Sequence, residues 1–186
     1  AQEVLKHTGY KIIYGSYAST DVYYRKPLTF HTCNPQAPAT SFVMVNDIHG
    51  DNKLLEDLMS RCNLTQTDFV LFNGDMLSFI NSEDQLFKGF MDTAVRLFAS
   101  EIPMYYARGN HETRGVFATE IQRYFSPCQE HLYYAFRQGP VYCIVLDTGE
   151  DKPDSDIEYA GITQYDLYRT EQSEWLASIL ESTEYK

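Results

Sequence analysis

No stretch of these 186 residues approaches the roughly 20 consecutive apolar residues of a membrane helix, so a helical membrane span is excluded. The N-terminus lacks a basic segment followed by an apolar one, and no signal peptide is visible. Cysteine is sparse. Cys33, Cys62, Cys128 and Cys143 form no C-x-x-C pair, so no structural zinc site is signalled, and the even count permits disulfides without demanding them. Basic residues are short as well: 15 Lys and Arg stand against 26 Asp and Glu, a net charge of −11 that argues against general binding to a nucleic-acid backbone. The deficit is steepest in residues 150–186, with ten acids against three bases, a stretch expected to be a solvated face or loop. Histidine occurs five times, as His7, His31, His49, His111 and His131, and never after residue 131. There is no internal repeat and no low-complexity segment.

What is present suffices for a core: 44% hydrophobic and 15% aromatic residues argue against disorder, and the length suits one domain or a domain plus a fragment. Residues 9–32 are rich in Tyr, Ile, Val and Thr between Gly, Ser and Pro breaks, which is strand and turn material. Residues 34–40, with Pro35 and Pro38, read as a linker. From residue 41 strands alternate with helices. Apolar runs at 41–46, 68–73 and 102–107 are expected as buried strands. Residues 51–62 carry Leu54, Leu55, Leu58, Met59 and Cys62 on one helix face, with Asp51 as N-cap. A long helix is expected over 82–100, opened by a Ser82–Gln85 capping box and buried along Leu86, Phe87, Phe90, Met91, Ala94, Leu97 and Phe98. A short helix over 116–125, a hairpin turning at 137–140 and a final helix over 171–180, with Trp175, Leu176, Ile179 and Leu180 inward, complete the reading. Cys143, inside an apolar run, is expected as a buried thiol. The order predicts a layered α/β domain with parallel strands at first.

Three of the expected strands end alike, in Asp47-Ile48-His49-Gly50, Asn73-Gly74-Asp75 and Gly109-Asn110-His111-Glu112. Ligands of open α/β sheets bind beyond the carboxyl ends of the strands, so these loops gather at one edge. Each brings a hard oxygen or imidazole donor, and each has a glycine that lets the backbone turn near a ligand. A phosphate ester is anionic and repels hydroxide, which two metal ions roughly 3.5–4 Å apart overcome by clamping its oxygens and generating a bound hydroxide. Asp47 and His49 can converge on one ion, Asp75 can bridge, Asn110 can serve a second, and His111 is left to protonate the leaving alkoxide. Singly, each residue reads as a turn or capping residue. Together, in this order, they point to a site. Arg108 and Arg114 flank the third loop, as phosphate contacts or as surface residues. Glu112 is expected in structural hydrogen bonds, and His131 at the surface or the core edge.

These three segments resemble the first three motifs of the calcineurin-like metallophosphoesterase superfamily, over residues 41–186. The resemblance implies the N-terminal half of a layered α-β-β-α sandwich, with Asp47 and His49 on one metal, Asp75 bridging, Asn110 on the other metal, and His111 as the phosphate-facing acid. It implies hydrolysis of a phosphomonoester or phosphodiester by metal-bound hydroxide, with two iron, manganese or zinc ions in the intact enzyme. Asp147 is implied to be structural. Residues 1–40 resemble the last strands of the fibronectin-like domain that precedes the catalytic domain in purple acid phosphatases, and export is the location such a domain implies. Two positions depart from those enzymes: His49 stands where they have glycine, and Ser78 stands where they have a metal-binding tyrosine. Protein serine/threonine phosphatases place at the Ser78 position an acid that orients the catalytic histidine, so ring orientation of His111 must come from elsewhere.

The superfamily's later histidine ligands have no counterpart. The expectation is a chain that needs the C-terminal half of its catalytic domain as partner and by itself holds at most one metal well. The rival reading is a noncatalytic metal-binding module or inactive fragment. A third is an interaction fragment whose acidic tail meets a basic partner.

Overall fold

The computed structural model describes residues 2–5, 13–14, 17–18, 28–31, 33–125 and 131–182. Four short strands, β1 (Gln2–Leu5), β2 (Ile13–Tyr14), β3 (Tyr17–Ala18) and β4 (Leu28–His31), pair antiparallel as β1–β4 and β2–β3. Half of the segment expected over 1–40 as the end of a fibronectin-like domain and linker lies outside the described residues. Residues 33–41, which include the stretch read as a linker, carry turns and no regular element.

The sheet that positions the site is β5 (Phe42–Val45), β6 (Phe69–Asn73) and β7 (Met104–Ala107), all parallel and in that order. Helix α1 (Asn52–Met59) crosses from β5 to β6, and Asp51 caps it by accepting from the Leu54 N–H at 2.9 Å. The second crossover is helix α2, which begins as Glu83–Leu86 and runs on through Phe87–Met91, Asp92–Ala94 and Val95–Ala99. Ser82 accepts from the Gln85 N–H, but Gln85 reaches back to the Asn81 N–H and not to Ser82, so the box is one residue wider than expected.

Two of the α2 stretches, Phe87–Met91 and Val95–Ala99, are π-helical, and the sequence explains why. The fully buried residues are Leu86, Phe90, Ala94 and Phe98, every fourth position. In a regular α-helix of 3.6 residues per turn, such a stripe drifts roughly 40° per step. Wider π turns take up the drift and keep all four side chains on the sheet. They pack with Leu55 and Met59 of α1 against Val45, Val70, Phe72 and Tyr106.

The other face of the sheet is aromatic. Phe42 stacks on Phe69 at 4.9 Å, Phe69 meets Tyr105 and Phe136 edge-on, and Tyr105 stacks on Phe136 at 3.6 Å. Phe136 belongs to a hairpin, β8 (Tyr134–Gln138) and β9 (Val141–Val145), turning at Gly139-Pro140. The Tyr134 hydroxyl donates to the Tyr106 carbonyl and accepts from the Tyr106 N–H, so one phenol satisfies both backbone groups at the β7 edge; burial pushes its pKa up to about 12.

Three expectations need correction. Strand β5 is not buried: Phe42 and Met44 are 46% and 55% exposed, because β5 is the edge strand and the hairpin's ring contacts fall on β6 and β7. Cys143 is half-buried, and burial raises its thiol pKa; Cys33, Cys62 and Cys143 are free thiols, while Cys128 lies outside the described residues. The last helix, α3 (Tyr165–Glu181), starts six residues before the expected one. Its buried residue is Gln172, while Leu180 is 41% exposed.

Candidate metal centre

The loops after β5 and β6 are zipped together beyond the strands. The N–H groups of Asp47, His49 and Gly50 donate to the carbonyls of Gly74, Asp75 and Met76 at 3.1, 3.0 and 2.8 Å. Asp47, His49 and Asp75 all have left-handed backbone, with φ of 57°, 52° and 56°. For residues with a Cβ this costs on the order of 1–3 kcal/mol each and persists only where the surroundings impose it. The loop after β7 joins at Gly109. A Cβ there would stand 2.2 Å from Asp75 Oδ1 and 2.4 Å from the Asp75 nitrogen, so only glycine allows the approach.

Glu112 imposes the arrangement. Its side chain is fully buried and accepts three backbone N–H groups, with Asp75 and Gly109 on Oε2 and Leu77 on Oε1, each at 3.0 Å. One carboxylate thereby clamps the second and third loops. Burial outweighs these bonds and raises its pKa.

The result is a group of three donors. Ligand atoms of His49, Asp75 and His111 lie within 4.8 Å of one another. The His111 N–H donates to Asp75 Oδ1 at 3.1 Å, and the two imidazoles meet edge-on at 4.7 Å. Asp47 sits beside them, with Oδ1 3.7 Å from His49 Nε2, and is well exposed. Asn110 opens the one-turn helix His111–Thr113 and is one of the groups that favour the charged form of Glu150. The donor set of two imidazoles and carboxylate oxygen suits iron, manganese or zinc. Strained backbone and a cradle that a single Cβ would fill are the form such a site takes.

Ser78 supplies what its side chain alone does not suggest. Its backbone carbonyl lies 3.2 Å from His111 Nδ1, and its hydroxyl lies 3.2 Å from His49 Nδ1. One residue thus orients both rings through Nδ1.

The two arginines are engaged. Arg108 is paired in bidentate fashion with Asp147, which is fully buried and also accepts from the Tyr168 hydroxyl. Burial works against the Arg108 charge, but Asp147 outweighs it and the guanidinium pKa is raised. Asp147 is structural, as expected, and Gln172 brackets its backbone by accepting from its N–H and donating to its carbonyl, both at 2.7 Å. Arg114 makes a two-pronged pair with Glu150 and places Nη1 3.3 Å from His111 Nδ1. No local pattern singles out Glu150, one acid among ten; its role exists only through contacts with Thr113 and Arg114 more than 30 residues away.

The Arg114 hydrogen bond holds the Glu150 carboxyl below its usual 4.5. A lowered folded-state pKa means stability present above the unfolded value and lost as pH falls through the folded one. Glu150→Gln is therefore expected to flatten the acid limb of a thermal-stability profile below about pH 4.5. An unchanged limb would show that the pair contributes no pH-dependent stability. His131, half-buried, stacks on Tyr133 and pairs with Glu171, at the core edge as expected.

A parallel α/β sheet with clustered imidazole and carboxylate groups at its carboxyl edge defines a class. Within it, residues 40–184 match the model of the calcineurin-like phosphoesterase family, and the chain belongs to that family. Among solved structures, the purple acid phosphatase PPD1 from yellow lupin (Lupinus luteus) seeds is similar in fold, with a TM-score of 0.52 and 18% identity. The similarity covers 77% of this chain and 30% of the lupin chain, so this chain spans less than a third of that relative. No curated protein sequence matches it.

Proposed function

We propose that the chain carries the first part of a binuclear metallophosphoesterase centre, which in the intact protein hydrolyses a phosphomonoester or phosphodiester. The observation that carries this reading is the group of His49, Asp75 and His111 at the ends of three parallel strands. Asp47, His49 and Asp75 would hold one ion, and Asp75 with Asn110 a second. The bound metal supplies Lewis-acid charge at the phosphoryl oxygens and an activated water. His111, oriented through Nδ1 by the Ser78 carbonyl, has Nε2 available to give a proton to the leaving oxygen. The further donors are assigned to the second half of the catalytic domain, a partner segment consistent with the lupin enzyme's greater length. Location outside the cytoplasm belongs to the same reading.

Only three donors share one group among the described residues, which favours a second reading of this chain by itself: a metal-binding half-site with little turnover. Metal content and hydrolysis of 4-nitrophenyl phosphate, measured on one sample with added Mn²⁺, separate the two. The expected result is one ion or fewer per chain with negligible turnover, and loss of that ion in Asp75→Asn. Two ions with rapid turnover would overturn the half-site, and metal binding indifferent to Asp75→Asn would overturn the centre itself.

A further inference from the structure

Resting on the phosphoesterase reading, we propose that the cleft beside His49 is the leaving-group subsite for a phosphate ester bearing a planar ring, with Phe79 as the stacking face. The cleft has a volume of ≈350 Å³ and is lined by His49, Leu77, Ser78, Phe79, Gln85 and Lys88, together with Gly50 and Gly89. It begins at His49, whose ring meets that of His111 edge-on at 4.7 Å, so the leaving group of an ester held at the clustered donors has the cleft within reach. Its size is at the low end for small-molecule pockets, enough for one ring system.

A lone exposed aromatic residue ordinarily means nothing. Phe79 differs in being held on both sides. Before it, Ser78 is tied to both imidazoles. After it, Ile80 is fully buried, its N–H donating to the Arg114 carbonyl and its carbonyl accepting from the Phe117 N–H. The backbone therefore presents the Phe79 ring, 47% exposed, from a fixed mount. Leu77, 3% exposed, lines the cleft, and helix α2 packs closely on it at Gly89, where a Cβ would stand 2.3 Å from Leu77 Cδ2 and force that side chain to shift. Lys88 at the rim adds a cation, 70% exposed and paired with Asp84, for oxygens carried on the ring. A fixed aromatic face, an apolar lining side chain and a rim cation next to the donors select a ring-bearing leaving group over a small aliphatic one.

The test uses two inert analogues, phenylphosphonate and methylphosphonate, titrated calorimetrically into the chain with Mn²⁺ present, so no turnover is needed. Wild type is expected to bind phenylphosphonate roughly three- to tenfold more tightly than methylphosphonate, the range of one aromatic stacking contact. Phe79→Ala should erase that preference and Phe79→Tyr should keep it, with Mn²⁺ binding unchanged in both. Equal affinities in wild type, or a preference that survives Phe79→Ala, would overturn the subsite and leave the phosphoesterase reading standing. Mn²⁺ binding without either phosphonate would do the same. Failure to bind Mn²⁺ would overturn both.

Discussion

Glu112→Ala is expected to cost about 2–5 kcal/mol of stability, since it leaves one buried and two part-buried N–H groups without their acceptor, at roughly 1–3 kcal/mol for the buried one and less for the others. Glu112→Gln is expected to cost less. The amide oxygen can still serve the Asp75 and Gly109 N–H groups, but its NH₂ then faces the Leu77 N–H, donor against donor. The order wild type, Gln, Ala in urea unfolding would follow. The same carboxylate has a raised pKa in the folded state, so the folded form takes up its proton more readily than the unfolded chain. Its ionisation therefore subtracts stability as pH rises from the unfolded value through the folded one, opposite in sign to Glu150. An Ala variant as stable as wild type would mean that Glu112 does not clamp the loops. Metal binding should fall with stability, because the clamp holds Asp75 in its left-handed conformation and the His49 N–H is bonded in turn to the Asp75 carbonyl.

Asp147→Ala is expected to cost about 3–5 kcal/mol, because it strands the mostly buried Arg108 charge and removes the Tyr168 and Gly149 partners as well. Replacing both ends of the pair, Arg108→Met with Asp147→Leu, is expected to recover a large part of that loss, since no uncompensated charge remains. Thermal unfolding of the two variants decides it. A double variant no better than Asp147→Ala would mean that the Tyr168 and Gly149 bonds, and not the ion pair, hold the third loop to the hairpin and the last helix. Tyr168, its phenol pKa raised by burial and by Asp147, would then be the residue to change next.

The alternation of strands and helices after residue 41, the Asp51 and Ser82 caps, and the approach of His49, Asp75 and His111 at one sheet edge, with Asp47 beside His49, follow from signals readable in the sequence. The reason is locality. Apolar periodicity and capping act over a few residues, and a parallel sheet sends each strand's carboxyl end to the same side. The tertiary structure alone decided which polar groups meet. Glu112 against the loop at 75–77, Ser78 against two imidazoles, Arg108 against Asp147 and Arg114 against Glu150 are pairings across roughly 30 to 40 residues, with the 78–80 segment at the centre. It also decided which apolar residues stay outside. Phe42, Met44 and Leu180 have the same side-chain chemistry as their buried neighbours, and only the layer opposite them, or its absence, determines whether water reaches them.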